Sequence, residues 1–189
     1  SVETCIIVQR ENVQTCELGP MDLDFEQVMS TASSVEAVPL PSTHIHYILY
    51  TSGTTGFPKG VVRDMGGWAT ALKYSMSKFY DTCPGETYWA ASDIGWTVGH
   101  AYTVYAPLLH GCTTVLYEDK PVGTPDAGAF WRVIEEYGVK TFFVAPTAFR
   151  AIKQADPSAE LLSKYDLSCL KYLFLAGEHS DPATLHWCE

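Results

Sequence analysis

Short apolar runs rich in β-branched and aromatic residues recur along the chain, and helix-length segments separate most of them. Several of these runs are continuous rather than alternating, which is typical of strands that are buried on both faces of a parallel sheet. The candidate strands are CIIV (5–8), YILY (47–50), TYWAA (87–91), TTVLY (113–117), TFFVA (141–145) and LKYLFLA (170–176). The pattern predicts an α/β fold with a layered, largely parallel sheet and flanking helices.

Four segments between these runs carry the start and stop signals of helices. Asp22 and Asp24 are candidate caps of a first helix, while Asp181 and Pro182 suit the N-cap and first helical positions of a last one. Another helix is predicted to stop at Gly138. The predicted helices are DFEQVMSTA (24–32), GWATALKYSMSKFY (67–80), DAGAFWRVIEEYG (126–138) and SDPATLHWCE (180–189). Their alternation with strands after residue 113 favours parallel connections.

The domain organisation is inferred from composition and from the two ends of the chain. VEAVPLPST (35–43) is the segment most like a linker, and we interpret it as a surface loop rather than a domain boundary. The first strand begins a few residues after Ser1, and a helical pattern still continues at Glu189 without a capping glycine. We therefore expect residues 1–189 to be an excerpt of one larger domain.

Composition and charge exclude several classes of protein. With 12 basic and 22 acidic residues the net charge is -10, which argues against a broad nucleic-acid-binding surface. The six cysteines lie at least eleven positions apart, so we expect reduced thiols in an intracellular protein rather than a metal or disulfide framework. The apolar stretch 96–109 is too short to span a membrane. His44 and His46 have no third ligand near them in the sequence, so no metal site is predicted.

The segment YTSGTTGFPKG (50–60) has the composition of a phosphate-binding loop. Its glycines allow close backbone approach, its hydroxyls donate hydrogen bonds to an oxyanion, and Lys59 adds a positive charge. It is not a P-loop, because Pro58 and Gly60 stand where a glycine and a hydroxyl residue belong. Pro58 and the β-branched residues that follow favour an extended segment, so strand, loop, strand is predicted. The alternative is an exposed turn rich in serine and threonine.

The order of residues in YTSGTTGFPKGVV (50–62) resembles the signature loop of adenylate-forming enzymes, which include acyl-CoA synthetases, luciferases and the adenylation domains of peptide synthetases. Three later stretches resemble more narrowly the short-chain acyl-CoA synthetases that act on acetate and propionate. They are 91–118, 120–152 and LFLAGEHSD (173–181). The resemblance covers nearly the whole chain from Tyr47 onward, and it implies that the sheet is the central part of an N-terminal adenylation domain.

The resemblance implies a two-step reaction, in which ATP adenylates a short carboxylate and CoA then takes the acyl group, with release of AMP and pyrophosphate. The signature loop is implied to hold the β- and γ-phosphates of ATP. Its residues are Thr51, Ser52, Gly53, Thr54, Thr55, Gly56 and Lys59, of which Thr51 and Lys59 are the expected catalytic residues. The glutamate that helps to hold Mg²⁺ and the C-terminal lid domain are implied to lie beyond Glu189, so we expect residues 1–189 alone to be inactive.

Two further sets of residues are implied to contact substrates. Gly177, Glu178 and His179 follow a predicted strand and are implied to border the adenine. Many relatives carry proline in place of His179, for which a surface histidine is the alternative. The implied acyl pocket contains Trp96, Thr97, Val98 and Ala176. Val98 and Ala176 stand where acetate enzymes carry threonine and a bulkier residue, so propionate is favoured and acetate is possible.

Three interpretations stay open beside this one. Trp96 is also explained as a core aromatic without a ligand. Peptide-synthetase domains and luciferases share the signature loop, although the stretch 92–111 argues against them. A truncated, non-catalytic product that binds nucleotide or a partner is the third. By resemblance the compartment is the mitochondrial matrix, with the cytoplasm as the alternative.

Overall fold

The chain forms two compact units, residues 1–40 and residues 41–189, in a computed structural model that describes residues 2–10, 14–51, 56–123 and 125–189. The break between the two compact units lies inside the segment 35–43, which the sequence pattern indicates to be a surface loop. Val35 and Val38 are exposed by 90% and 76%, so this proline-containing stretch has little packing of its own.

In the part of the first unit that the structure describes, residues 2–10 and 14–40, there are two short parallel strands and one helix. They are β1 (Cys5–Ile7), β2 (Asp22–Asp24) and α1 (Phe25–Thr31). The carboxylate of Asp24 accepts a hydrogen bond from the backbone N–H of Gln27 at 3.0 Å. Asp24 is therefore the N-cap that the sequence predicts, whereas the other candidate, Asp22, lies in β2.

The second unit begins with a β-hairpin, formed by β3 (Ile45–Thr51) and the antiparallel β4 (Lys59–Asp64). Thr51 pairs with Lys59, so the two ends of the predicted phosphate loop meet where the strands end. The prediction of strand, loop, strand is confirmed for its two strands. Residues 52–55, which form most of the loop, lie outside the described residues.

The rest of the second unit is a four-stranded parallel sheet with helices on both faces. Its strands are β5 (Thr87–Ala91), β6 (Thr113–Thr114), β7 (Val139–Val144) and β8 (Tyr172–Leu175), in the order β6-β5-β7-β8. The helices are α2 (Met65–Lys78), α3 (Ala106–His110), α4 (Ala129–Tyr137), α5 (Pro146–Ala155) and α6 (Pro182–Cys188), with a π-helix (Gly99–Tyr105) and a short 3-10 helix (Leu162–Lys164). The predicted α/β fold with a layered, largely parallel sheet is confirmed.

Side chains of the sheet alternate between two cores, one on each face. Trp89 stacks on Phe142 with ring centroids 4.6 Å apart, in the core that α4, α5 and α6 cover. Tyr88 and Phe143 belong to the other core, which α2, the π-helix and α3 cover. Because both faces are buried, Tyr88–Ala90 of β5 and Phe142–Val144 of β7 are apolar at every position, which explains the continuous runs in the sequence.

The structure departs from the predicted elements in several places, of which three bear on the site. Strand β6 has two residues instead of five, because Val115 and Tyr117 pack on the core without continuing the pairing with β5. No helix is predicted where α5 lies, although Pro146 at its first position is a helix start signal. The apolar stretch 96–109 contains the whole π-helix and all of α3 except His110. The pattern of hydrophobic residues in this stretch does not predict either helix.

The π-helix begins at a glycine that the packing requires. A Cβ atom added to Gly99 would collide with the carbonyl oxygen of Asp93 and with the Cα atom of Ile94. Both are backbone atoms, so they cannot turn away as a flexible side chain could. Gly99 therefore lets the turn at 93–96 lie directly against the start of the π-helix.

We expect Gly99→Ala to lower the free energy of unfolding by about 1 to 3 kcal/mol, the scale of overpacking in a core. Gly95→Ala is the matched control, because its added Cβ would meet the carboxylate of Asp93 at 3.0 Å, and that side chain can rotate. Thermal unfolding followed by circular dichroism compares the two variants. Equal losses of stability would contradict the role given to Gly99.

Candidate functional site at the carboxyl ends of the strands

A cavity of about 500 Å³ opens at the edge of the sheet where β5, β7 and β8 end. Parallel strands bring their carboxyl ends to one edge, and ligands of open α/β sheets bind in the crevice outside this edge. Five of the predicted site residues line the cavity, namely Trp96, Val98, Ala176, Gly177 and Glu178. The fold thus brings together two segments that are far apart in the sequence.

Small residues form the part of the cavity next to the strand ends. Ala91 ends β5, Ala145 follows β7 and Ala176 follows β8, so each of three neighbouring strands contributes an alanine to the lining. Phe143 and Val144 add apolar surface. A lining of this kind favours a small apolar group of a ligand.

The turn that precedes the π-helix places Trp96 beside the cavity. The carboxylate of Asp93 accepts a hydrogen bond from the N–H of Gly95 at 2.6 Å, and its carbonyl oxygen accepts from the N–H of Trp96 at 3.1 Å. Trp96 is 69% exposed, so it does not belong to the core that the described residues form. Val98 lines the cavity and packs against the buried cluster, whereas Thr97 is half-buried and lies outside the lining.

The loop after β8 forms a polar side of the cavity. Gly177 has a φ angle of +100°, a conformation that residues with a Cβ atom rarely adopt. One carboxylate oxygen of Glu178 accepts a hydrogen bond from the N–H of Thr147 at 2.7 Å, and the other lies 2.8 Å from a guanidinium nitrogen of Arg150. Hydrogen bonding to Thr147 and then to Arg150 holds the pKa of Glu178 below its usual range, so its charged carboxylate is bound to α5.

His179 does not join this arrangement. It is exposed and lies outside the cavity lining, so the structure favours the surface histidine of its two interpretations. Asp181 ends the same loop, and its carboxylate accepts hydrogen bonds from the N–H of Thr184 at 2.9 Å and from the hydroxyl of Thr184 at 2.8 Å. The predicted N-cap of α6 is confirmed, and the loop 176–181 is therefore fixed where the helix begins.

The described part of the phosphate-loop segment lies at the end of the hairpin. Thr51 and Lys59 are exposed cross-strand partners, and Gly56 has a φ angle of +84°. None of these three residues belongs to the cavity lining. The remaining loop residues, Ser52, Gly53, Thr54 and Thr55, lie outside the described residues, so phosphate binding by this segment stays a prediction.

Aromatic rings connect the hairpin to the π-helix. The ring of Tyr47 lies 5.5 Å from that of His100, and the ring of His46 lies 4.7 Å from that of Tyr105. The N–H of His100 in turn donates a hydrogen bond to the carbonyl oxygen of Trp96 at 3.1 Å. Contacts therefore run without a break from β3 to the turn that borders the cavity.

Metal ligands are not grouped in the part of the chain that the structure describes. Residues 2–10, 14–51, 56–123 and 125–189 contain no group of three or more histidine, cysteine and acidic side chains that could hold a metal ion. Asp93 and Glu178 line the cavity, but the carboxylate of Glu178 is already bound to α5. These residues therefore do not form a site for the implied Mg²⁺. Within the same ranges, no helix is long and apolar enough to cross a membrane.

Several residues of the site were not among the predicted ones. The cavity lining includes Ser92, Asp93, Ala145 and Thr147. Arg150 is not part of the lining but forms an ion pair with Glu178. A helix start signal at Pro146 was available in the sequence, and the start of a helix that follows a parallel strand lies at the ligand edge of the sheet. The partner of Arg150 is far away in the sequence, so no local signal indicates that pair.

The fold and the position of the cavity are typical of α/β proteins that bind a small organic ligand at the carboxyl ends of their strands. The family described as AMP-binding enzyme matches residues 1–189. The chain therefore belongs to the AMP-binding enzyme family, and the resemblance found in its motifs is confirmed.

Curated relatives are similar over most of the chain. The human protein named "Acyl-CoA synthetase short-chain family member 3, mitochondrial" is 57% identical over 183 residues, which are 96% of this chain and 27% of that protein. "Acyl-CoA synthetase short-chain family member B, mitochondrial" of Dictyostelium discoideum is 51% identical over 166 residues, covering 87% and 24%. "Propionate--CoA ligase" of Escherichia coli (strain K12) is 45% identical over 184 residues, covering 96% and 29%. The chain spans about a quarter of the length of these relatives.

We expect Gly177→Ala to lower the free energy of unfolding by about 1 to 2 kcal/mol, because alanine is strained at positive φ. Among the described residues, no atom outside its own neighbours lies within 4 Å of the added Cβ, so crowding does not contribute. Gly138→Ala is the matched control, since Gly138 also has a positive φ, of +58°, and open space around it, but it ends α4 and does not line the cavity.

Both variants should lose similar stability, while Gly177→Ala alone weakens AMP binding in equilibrium dialysis of the complete protein. An unchanged AMP affinity in Gly177→Ala would contradict a role of Gly177 in binding the ligand.

Proposed function

We propose that the protein containing this chain is an ATP-dependent short-chain acyl-CoA synthetase, an acid-thiol ligase that forms AMP. The observation that carries the proposal is the cavity of about 500 Å³, whose apolar floor of alanines lies beside the polar loop after β8. Such a cavity suits a short acyl chain joined to a nucleotide. The names of the relatives support the same activity.

In the proposed reaction a carboxylate oxygen of the acid attacks the α-phosphorus of ATP, and pyrophosphate leaves. The thiol of CoA then attacks the acyl carbon, AMP leaves, and the thiol proton passes to solvent. Positioning and charge stabilisation are the tasks of the protein in such a reaction. In this proposal Lys59 and the hydroxyl of Thr51, together with residues 52–56, hold the β- and γ-phosphates.

The cavity residues divide between the two parts of the acyl adenylate in this proposal. Trp96, Val98 and Ala176 contact the acyl chain, since they border the apolar part of the lining. The backbone at Gly177 and Glu178 borders the adenine, while the carboxylate of Glu178 holds the loop to α5. Thr97 and His179 lie outside the lining, so contact of Thr97 with the acyl chain and of His179 with the adenine stays a prediction from the resemblance.

Propionate is the acid that we favour, with acetate as the alternative. Ala176 leaves room at the cavity floor that a larger residue would fill, and the lining at the ends of β5 and β7 is also alanine. One methylene group in an apolar pocket is worth about 1 to 3 kcal/mol in discrimination. The Escherichia coli relative is itself named a propionate ligase.

The remaining substrates and the compartment are proposed from the family. CoA is the second substrate, and Mg²⁺ accompanies ATP and neutralises phosphate charge. The described residues contain no group of side chains that could hold the ion, so its ligands are proposed to lie elsewhere in the protein. Two of the relatives carry "mitochondrial" in their names, so we propose the mitochondrial matrix, with the cytoplasm as the alternative.

We expect Lys59→Ala to lower ATP-pyrophosphate exchange by a factor of about ten to a thousand, the scale of one lost electrostatic donor. The measurement uses the complete protein with acetate, propionate and butyrate in turn. Lys73→Ala is the control, since Lys73 is an exposed lysine on α2. Normal exchange in Lys59→Ala would exclude Lys59 from the phosphate site. A folded wild type without exchange for any acid would favour the non-catalytic alternative, a product that binds nucleotide or a partner.

We expect propionate to exceed acetate in kcat/KM, and Ala176→Val to reverse the preference by reducing the ratio about tenfold or more. The added methyl groups occupy the space that the terminal carbon of propionate needs. Ala71→Val is the control, because Ala71 is exposed on α2. Competition between the two acids measures the ratio directly. Preference for acetate in the wild type would overturn the choice of propionate.

A further inference from the structure

Arg150 connects α5 to both ends of the polar loop after β8. One guanidinium nitrogen lies 2.8 Å from a carboxylate oxygen of Glu178, and the other lies 3.7 Å from a carboxylate oxygen of Asp181. Arg150 does not line the cavity itself. It therefore contacts the loop 176–181 without being part of the cavity lining.

The attachment at Glu178 is the stronger of the two. Its second carboxylate oxygen accepts the hydrogen bond from the N–H of Thr147, in the first turn of α5, so both oxygens are bound to the same helix. Thr147, Gly177 and Glu178 all line the cavity. The orientation of the loop beside the cavity is thus determined by one carboxylate held at two points.

The loop has few other constraints at this position. Gly177 is compatible with many backbone conformations, and the residues from 176 to 179 are all exposed. At the far end, the carboxylate of Asp181 accepts two hydrogen bonds from Thr184 in addition to its longer contact with Arg150. Loss of Arg150 would therefore affect the Gly177 end of the loop more than the Asp181 end.

We propose that Arg150 is a positioning residue for the nucleotide, which holds Glu178 so that the backbone at Gly177 is ordered before ATP binds. The inference rests on the proposed function, because it assigns the nucleotide to this side of the cavity. When Arg150 is absent, the loop must be ordered by the nucleotide itself, and the cost appears as weaker ATP binding. The acid is proposed to contact the apolar residues Trp96, Val98 and Ala176, none of which is bound by Arg150, so its binding is affected less.

The pair contributes little to overall stability, which separates a positioning role from a structural one. The side chains of Arg150 and Glu178 are 37% and 36% exposed, and exposed ion pairs have small effects on unfolding. Lys153 lies one turn further along α5 and offers a matched control. Its ammonium donates a hydrogen bond to the carbonyl oxygen of Ala183 at 2.7 Å, so it ties α5 to α6 without touching the cavity loop.

The test compares Arg150→Gln, Arg150→Lys and Lys153→Gln in the complete protein. Equilibrium dialysis measures the Kd of ATP, and ATP-pyrophosphate exchange measures kcat and the KM values of ATP and propionate. We expect Arg150→Gln to raise the Kd and KM of ATP about threefold to tenfold, the scale of one partly exposed charged contact, with kcat and the KM of propionate nearly unchanged. Arg150→Lys should bind ATP more tightly than Arg150→Gln but less tightly than the wild type, since lysine keeps the positive charge but lacks the paired N–H donors of arginine. Lys153→Gln should resemble the wild type.

The two proposals fail in different ways. A wild type that binds ATP without catalysing exchange overturns the proposed function, while the dialysis still decides the role of Arg150. A wild type that binds no ATP overturns both. Unchanged ATP affinity in Arg150→Gln, or equal losses in Arg150→Gln and Lys153→Gln, overturns the positioning role. If Arg150→Gln does not fold, Arg150→Lys is measured in its place. An ATP affinity of Arg150→Lys equal to that of the wild type would contradict the proposal, because lysine lacks the paired N–H donors of the guanidinium.

Discussion

Strands β5, β7 and β8 must run in parallel and in register for the cavity to exist, because their carboxyl ends are its floor. Ala91 pairs with Val144, and Val144 pairs with Leu175, so the three strands end at the same level. The stacking of Trp89 on Phe142 reinforces this alignment from inside the core. A shift of one residue would exchange the two faces of a strand and place large core residues where the alanines now lie.

Helix α5, which directly follows β7, fixes the polar loop on the other side of the site. It begins directly after β7, so its first turn lies at the ligand edge, and its N–H of Thr147 is available to a carboxylate. Glu178 supplies that carboxylate from the loop after β8. The same helix presents Arg150 and Lys153 to the segment that leads into α6. One helix thus orders both the loop and the element after it.

Elements that depend on residues a few positions away in the sequence could be predicted, and elements that depend on packing between distant segments could not. The caps at Asp24 and Asp181 and the helix end at Gly138 depend on residues within a few positions. The length of β6 and the π-helix depend on packing between segments that are distant along the chain. The same holds for the site. The strand ends and Gly177 follow from local pattern and resemblance, whereas the pair of Arg150 with Glu178 exists only after β7 and β8 are aligned.

The hairpin and the cavity, which the sequence presents as separate features, share the π-helix as a support. The rings of Tyr47 and His100 are in contact on the hairpin side, and the start of the π-helix packs on the turn at 93–96 through Gly99. Either the hairpin or the turn can move far only if the π-helix moves as well, because close-packed interiors transmit displacement rather than absorb it. In the proposed reaction, this contact would keep the phosphate-binding strands in a fixed position relative to the acyl wall at Trp96.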